Sequence, residues 1–452
     1  MKRADLQAIV ASGFGDRGAA RYVFVRARAG STPEEVRAEL AARALPHVVS
    51  IESNKPHAFA QLAFGPGGLR AIGLDDEELD TFPREFVQGM AHPERARVNG
   101  DRVDEWHLGR GGLDVLIAVF AGSDGAALAL ERAMLDGARH LERACEPLVA
   151  SRLPDQTEHF GFRDGVSQPS ILGVHGDPRG PERPVPTGEF VMGYENVYGQ
   201  LPAAPSLSPA RGVGLPESRV SPGRRDLGDG GAYLVLRKLE QDVFAWRAWL
   251  REASRPLAGY VADPEAYLGA KVVGRWASGA PLVTCPRADD PAHATKNDFD
   301  YDLDLSGLAC PRGAHIRRTN PRGALPPSPP RSRAAVETRR LVRRGRPYGP
   351  PAGDAPDGEA RGLVFVCLCA NLARQFEFVQ QTWVEGVKFD GGWSEDDPLV
   401  GARRAGADRF TIPRDPVRYA PRGLPRFVTA RGGGYFFLPG MDRLRWLLGA
   451  RG

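Results

Sequence analysis

The sequence predicts an α+β protein in which one arrangement of strands and helices occurs twice. Three observations carry this expectation. Strand-like apolar runs alternate with helix-like stretches as far as Ala144, a similar order resumes after residue 230, and the stretch between is turn-rich with little periodicity. At 452 residues the chain is also longer than one hydrophobic core usually serves, which predicts two domains.

In the first set, "ARYVFVRAR" (20–28), "HAFAQLAFG" (57–65) and "LDVLIAVFAG" (113–122) read as strands. "TPEEVRAELAARAL" (32–45) opens on Thr32 with Glu35 three residues on, a capping box that marks a helix start. "DGAALALERAMLDGARHLERA" (124–144) repeats apolar residues at helical spacing and predicts one long helix. That order predicts helices covering one face of a small sheet. Region 176–230 reads as loop. The second set opens with "GAYLVLRKLEQDVFAWRAWLREA" (231–253), a strand running into a helix. It continues with "GLVFVCLCANL" (362–372) as a strand, "ARQFEFVQQTWV" (373–384) as a helix and "GGYFFLPG" (433–440) as a late strand. Two Pro/Gly/Ala-rich segments, 323–335 and 350–362, read as surface loops. The two halves look alike in element order without a residue-level repeat.

Composition narrows the class. Hydrophobic content of 42% and charged content of 26% suit a soluble globular enzyme. A net charge of +4 is small for this length and gives no argument for nucleic acid. Cys145, Cys285, Cys310, Cys367 and Cys369 are an odd number in a long chain, without zinc-like spacing to histidines, so no disulfide framework is expected. Cys367 and Cys369 lie in a strand-like run, where packing is their expected role. The start, "MKRADLQAIVASGFGDRG", has neither a signal-peptide core nor a twin-arginine pattern, and no run suits a bilayer span. A cytoplasmic protein with no membrane partner is expected.

Three stretches carry candidate chemistry. "EHFGFRDGVSQPSI" (158–171) sets Asp164 between Arg163 and Gly165, just after Phe160 and Phe162. Asp-Gly is a turn dipeptide, yet a solvated turn does not need two phenylalanines beside its acid. "CPRGAHIRRTNPRG" (310–323) holds His315 with arginines close by. A lone histidine is more often structural than a ligand. A single axial histidine with guanidinium groups for acidic propionates is nevertheless what a haem site requires, and the opposite face can stay open for substrate. "TRRLVRRGRPYGP" (338–350) is strongly basic, and alone it reads as a solvated arginine face or a nucleic-acid patch. No aromatic platform is interleaved beyond Tyr348, which argues against nucleic acid. Leu341 and Val342 before Arg343 suit an arginine that projects inward. If haem sits on His315, hydrogen peroxide at its open face needs an acid–base group and a fixed cation. An ordinary aspartate, with a pKa of about 3.9, stays ionised in mildly acidic water. Asp164 and Arg343 are the candidates, and their spacing alone does not bring them together.

Further blocks follow in order: "GEFVMGYEN" (188–196), "GAYLVLRKLEQDV" (231–243), "LGAKVVGRWASGAPL" (268–282) and "NDFDY" (297–301). With these, with "GFRDG" (161–165) as a Gly-x-x-Asp-Gly motif, and with "CPRGAHIRRTNPR" (310–322), the chain resembles the dye-decolourising peroxidases from about residue 5 to residue 445. The resemblance implies two ferredoxin-like α+β domains, antiparallel sheets flanked by helices, with one haem b between them. Their expected extents are 1–200, carrying Asp164, and 201–452, carrying His315 and Arg343. It implies that His315 is the proximal iron ligand, Asp164 the distal acid–base and Arg343 the distal cation, with Arg344 as the rival. Arg322 would bind a haem propionate, Leu363 and Phe365 would border the distal face, and Gly165 and Val166 would lie against the cofactor. A glycine after the acid lets backbone pass close to a flat group. Asp397 matches the carboxylate on the proximal imidazole, with Asp396 and Glu385 competing. The implied activity is reduction of hydrogen peroxide with one-electron oxidation of phenolic or dye-like aromatic donors. The alternative is a haem-binding or haem-handling protein with incidental peroxidase activity. Trp383, Trp393, Tyr348 and Tyr435 are candidate surface relays, although a packed core position is the first expectation for each. Neither monomer nor homo-oligomer is preferred.

Overall fold

The structure, a computed structural model, describes residues 1–176, 184–403 and 406–450. Its first half runs β1 (Ala19–Ala27), α1 (Pro33–Arg43), β2 (Ala58–Phe64), β3 (Val115–Ala121), α2 (Asp124–Leu135), β4 (Leu141–Arg143) and β5 (Leu148–Ser151). The second half begins with β6 (Ala232–Gln241), α3 (Val243–Ala253), α4 (Pro264–Val273), α5 (His315–Thr319) and α6 (Pro329–Glu337). It ends with β7 (Val342–Arg343), β8 (Arg346–Tyr348), β9 (Gly362–Cys369), β10 (Val428–Leu438) and α7 (Met441–Leu447).

These strands make one antiparallel sheet in the order β8–β9–β6–β10–β2–β3–β1–β4, with β5 also on β1 and β7 also on β9. Within each half the last strand lies beside the first, then the third, then the second, which is the ferredoxin-like order. The α+β reading therefore holds in both halves. The two sheets then fuse edge to edge at a single residue pair, Phe437 opposite Phe64.

Period-two alternation explains why the strands read as continuous apolar runs. Val115, Ile117 and Val119 of β3 enter one core, whereas Leu116, Ala118 and Phe120 enter the other, so both faces are covered. Val36 and Leu40 of α1, with Ala127 and Leu130 of α2, cover the first face. The N-terminal segment covers the second, through Leu6, Ile9 and Phe14. A third cluster, around Trp246, Leu268, Tyr301 and Phe410, lies beyond the end of β6.

Several elements differ from expectation for identifiable reasons. Helix α2 stops at Leu135, and Gly137 in the left-handed region (φ 73°) turns the chain into β4. The proline-rich segment 323–335 is not all loop, because α6 starts at Pro329. Prolines in a first helical turn lack only an N–H that would go unbonded there. Segment 373–384 is helical but wide, with Glu377 N–H donating to the Leu372 carbonyl at 2.9 Å, a π-type bond. The basic stretch is internal. Arg344 donates to the carbonyls of Ile9 and Val10, and Arg346 to those of Gly13, Phe14 and Arg17. Of the loop region 176–230, residues 177–183 lie outside the described residues. Among the described residues no helix is long and apolar enough to cross a membrane.

The sheet junction should carry measurable stability. Phe437 is fully buried, with its ring 5.4 Å from Phe82 and 6.4 Å from Tyr233. Phe437→Ala is expected to cost about 3–5 kcal/mol, read as a fall in the urea midpoint, whereas a loss under 1 kcal/mol would show that the junction bears little load.

Candidate active site

A cavity of about 300 Å³ opens on the outer part of the second half's sheet, at the small end of the range for ligand pockets. Alternation builds its floor. Leu363 and Phe365 of β9 line it while the alternate Val364 and Val366 enter the core behind. Arg237, Leu239 and Gln241 of β6 line it in the same way, as do Val428 and Ala430 of β10. The turn 158–167, residues 99–101 and the start of α5 supply further wall, so both halves of the chain contribute.

His315 is the first residue of α5 and lines the cavity. Its Nδ1 lies 2.9 Å from Asp397 Oδ2, while Asp397 Oδ1 accepts from the Leu399 and Val400 amides. Asp397 is completely buried. Burial pushes its carboxyl up, but His315, Arg318 and the Val400 amide outweigh that and hold it at about 2. Nε2 is therefore the ring nitrogen that this bond leaves for another partner. The competing acids are engaged elsewhere: Asp396 pairs with Arg403 at 2.6 Å, and Glu385 accepts from the Ala402 amide. Arg318 locks the arrangement from behind, donating to the carbonyls of Trp383, Gly386 and Glu395.

Asp164 and Arg343, 179 positions apart in the chain, line the same cavity. The Arg343 side chain donates to the Ser167 carbonyl at 2.8 Å and its backbone N–H to Gln168 Oε1 at 3.0 Å, so it is tied to the turn that carries the acid. Arg344, next along the extended chain, points away into the clamp on the N-terminal segment. Gly165 lines the cavity with φ 80°, and a Cβ there would meet no protein atom within 4 Å. Val166 also lines it.

Arg322 lines the cavity in the left-handed region (φ 51°), a conformation that costs a non-glycine residue energy. Ser332 of α6 pins it by donating to the Arg322 carbonyl at 2.5 Å. Its guanidinium reaches the carbonyls of Asn297 and Phe299 and stacks 4.1 Å from the Phe299 ring. Arg275 shares this wall. Burial draws its guanidinium down to about 10, Tyr301 opposes that, and Arg322 and Arg343 add to it. Three cations in mutual reach on one wall favour an anionic ligand there.

Arg275, Gln168, Glu158 and Gln241 were not singled out from sequence. Gln168 sits in the quoted "GVSQP", but nothing local shows that its side chain meets a backbone amide 175 positions on. Of the candidate relay aromatics, Trp383, Tyr348 and Tyr435 are buried, as expected for packing residues. Trp393 corrects that expectation, being 64% exposed with the Lys388 ammonium 4.6 Å from its ring. Cys285, Asp290 and His293 bring donor atoms within 4.8 Å of one another, which sequence spacing did not suggest. A turn accounts for two of them, since Asp290 caps the Ala292 amide and bonds His293 Nδ1.

Removing the buried carboxylate should be costly. Asp397→Ala leaves two amides and an imidazole N–H without their acceptor, and a loss of about 3 kcal/mol is expected by chemical denaturation. An unchanged midpoint would show that the pair does not hold α5 in place.

No family model matches the sequence. A dye-decolorizing peroxidase of Exidia glandulosa is 30% identical over 447 residues, covering 91% of this chain and 81% of that protein. A multifunctional dye peroxidase of Amycolatopsis sp. is 35% identical over 326 residues, covering 66% of this chain and 62% of its own. The crystal structure of a decolorizing peroxidase from Auricularia auricula-judae matches with a TM-score of 0.79 at 26% identity, over 99% of this chain and 100% of that one. Likeness of sequence and fold thus runs through both halves, and the chain belongs to the dye-decolorizing peroxidases, a family of enzymes.

Proposed function

We propose that this peroxidase holds one haem b, reduces hydrogen peroxide and oxidises phenolic or dye-like aromatic donors in one-electron steps. The observation that carries the reading is the gathering of His315, Asp164 and Arg343 on one cavity, with His315 Nδ1 held by a buried carboxylate. The donor set fits haem. One imidazole has a free ring nitrogen and a carboxylate partner, Leu363 and Phe365 are apolar wall, and Gly165 leaves space where a side chain would stand. Arg322, beside Arg275, supplies charge for a propionate.

In this reading His315 Nε2 would hold the iron, and Asp397 fixes the ring's tautomer and raises its basicity. Gly165 and Val166 would lie against the cofactor. Bound there, haem would supply the two-electron reduction of peroxide and the one-electron oxidation of donors. The residues of the chain manage the protons and the charge. Asp164 accepts a proton from one peroxide oxygen and returns it to the other, which leaves as water. The Arg343 guanidinium stabilises the negative charge that grows on the departing oxygen. Each turnover takes two electrons and two protons and releases two waters. A haem carrier would need His315 and the propionate arginines, but not an acid and a guanidinium tethered to one turn.

Two variants test the reading. His315→Ala should abolish the Soret band of the haem-reconstituted protein, and a retained band would overturn the ligand assignment. Asp164→Asn should keep the Soret band while slowing the stopped-flow reaction with peroxide by about 10²–10⁴-fold. A rate equal to the parent's would remove Asp164 from the chemistry and leave Arg343 as the principal group.

A further inference from the structure

Away from the cavity, among the described residues, one group brings a thiol, an imidazole and a carboxylate together. Cys285, Asp290 and His293 each offer one donor atom, and the three atoms lie within 4.8 Å of one another. None of the three lines the cavity. A turn accounts for the pair Asp290 and His293, since Asp290 Oδ1 accepts from the Ala292 amide and Oδ2 lies 2.9 Å from His293 Nδ1. It does not account for Cys285, which reaches the pair from the turn before. Backbone bonds fix that turn: the Cys285 amide donates to the Pro281 carbonyl at 2.9 Å, and its carbonyl accepts from the Trp276 indole at 2.7 Å. The spacing, Cys-x4-Asp-x2-His, lacks the paired cysteines that mark a zinc motif in sequence.

One sulfur, one nitrogen and one oxygen suit a borderline-soft cation. Tetrahedral bonds of about 2.0–2.3 Å set the ligands of zinc about 3.3–3.8 Å apart, so small side-chain movements close this set on an ion. Calcium and magnesium take oxygen shells and would leave the sulfur unused. Charge fits as well, because a thiolate and a carboxylate together balance a divalent ion. The next acid, Asp289, is engaged by Ser278, whose hydroxyl and amide both donate to it. Burial, then Asp290 and Asp289, push the Cys285 thiol up, with Lys296 opposing. A lone nucleophilic thiolate is thus disfavoured, whereas a bound cation would stabilise it. Entry is open, since the Asp290 and His293 side chains are 50% and 38% exposed.

We propose that Cys285, Asp290 and His293 form a site for a zinc-type divalent cation, with water in the fourth position. Binding exchanges the sulfur–hydrogen bond for a sulfur–metal bond and releases that proton to water; His293 binds as neutral imidazole, and no electron moves. The site lies on the segment that holds the cationic wall of the cavity. Arg275 donates to the carbonyls of Gly279 and Lys296, on either side of it. Asn297 Oδ1 accepts from Arg275 and Arg322, and the Ala277 carbonyl accepts from the Arg163 amide, next to Asp164. A cation joining residues 285 and 293 would brace the chain between those anchors. The inference stands apart from the haem reading.

The test is titration of the chelator-washed, haem-loaded protein with zinc chloride by calorimetry, followed by X-ray absorption at the zinc edge. The parent should bind one zinc per chain at this site, with one sulfur at about 2.3 Å and nitrogen or oxygen at about 2.0 Å. Cys285→Ser should remove the sulfur from that shell. Cys285→Ser and His293→Ala should each weaken binding by about 100-fold or more. Excess magnesium should leave the zinc in place. The zinc edge is separate from that of iron, so the parent's spectrum decides the proposal even if a variant does not fold. No zinc uptake, a zinc shell without sulfur, or binding by Cys285→Ser as tight as the parent's would each overturn it.

Discussion

The hydrogen bond between His315 and Asp397 is the constraint around which the second half is built. A carboxylate with no solvent exposure is tolerable only when its charge is met by donors, and here two amides and one imidazole bond both of its oxygens. The three donors come from separate places: α5 supplies the ring, and the turn after Asp397 supplies the amides. Arg318 ties both to the wide helical segment, through the carbonyls of Trp383 and Glu395. Geometry at the imidazole is therefore a property of the whole packing arrangement and not of one short helix. A five-residue helix would not hold a side chain in register alone.

Several arginines of this chain serve as internal struts. Arg317, Arg318, Arg344 and Arg346 are all nearly inaccessible to water, and each donates to backbone carbonyls of other segments; Arg317 also pairs with Asp304. Such guanidiniums satisfy loop carbonyls that no sheet or helix would reach, which suits a chain rich in irregular connections. The same residue type then changes role over one peptide. On the extended chain at 343–344, successive side chains leave on opposite sides, so Arg343 enters the cavity and Arg344 the strut.

Electrostatic asymmetry organises the cavity. One wall gathers Arg275, Arg322 and Arg343; burial draws Arg275 down to about 10, and the charges of Arg322 and Arg343 add to that. Elsewhere on the cavity surface Asp101 and Arg237 pair directly, and Glu158 closes its own turn. Cations gathered on one side and an acid on the turn opposite suit an anionic ligand.

Much of the fold was legible in residue order. Apolar runs marked β1, β2, β3, β6 and β9, and the Thr32–Glu35 capping box marked α1, because these signals arise from neighbours a few residues apart. The end of α2 at Gly137 and the helix hidden behind Pro329 were readable in principle but were outweighed by longer patterns. Motif resemblance named His315, Asp164, Arg343 and Asp397, and the choices between Arg343 and Arg344, and among Asp397, Asp396 and Glu385, stayed open. What the sequence by itself determined is the strand and helix pattern and the residue types available for chemistry, since both follow from local spacing. What only the tertiary structure decided is which carboxylate meets the imidazole, which arginine faces the cavity, and that Gln168 and Gln241 hold the acid's turn. Those contacts join residues 82 to 175 positions apart, and nothing in local spacing encodes a meeting that only the closed sheet and its packed loops bring about.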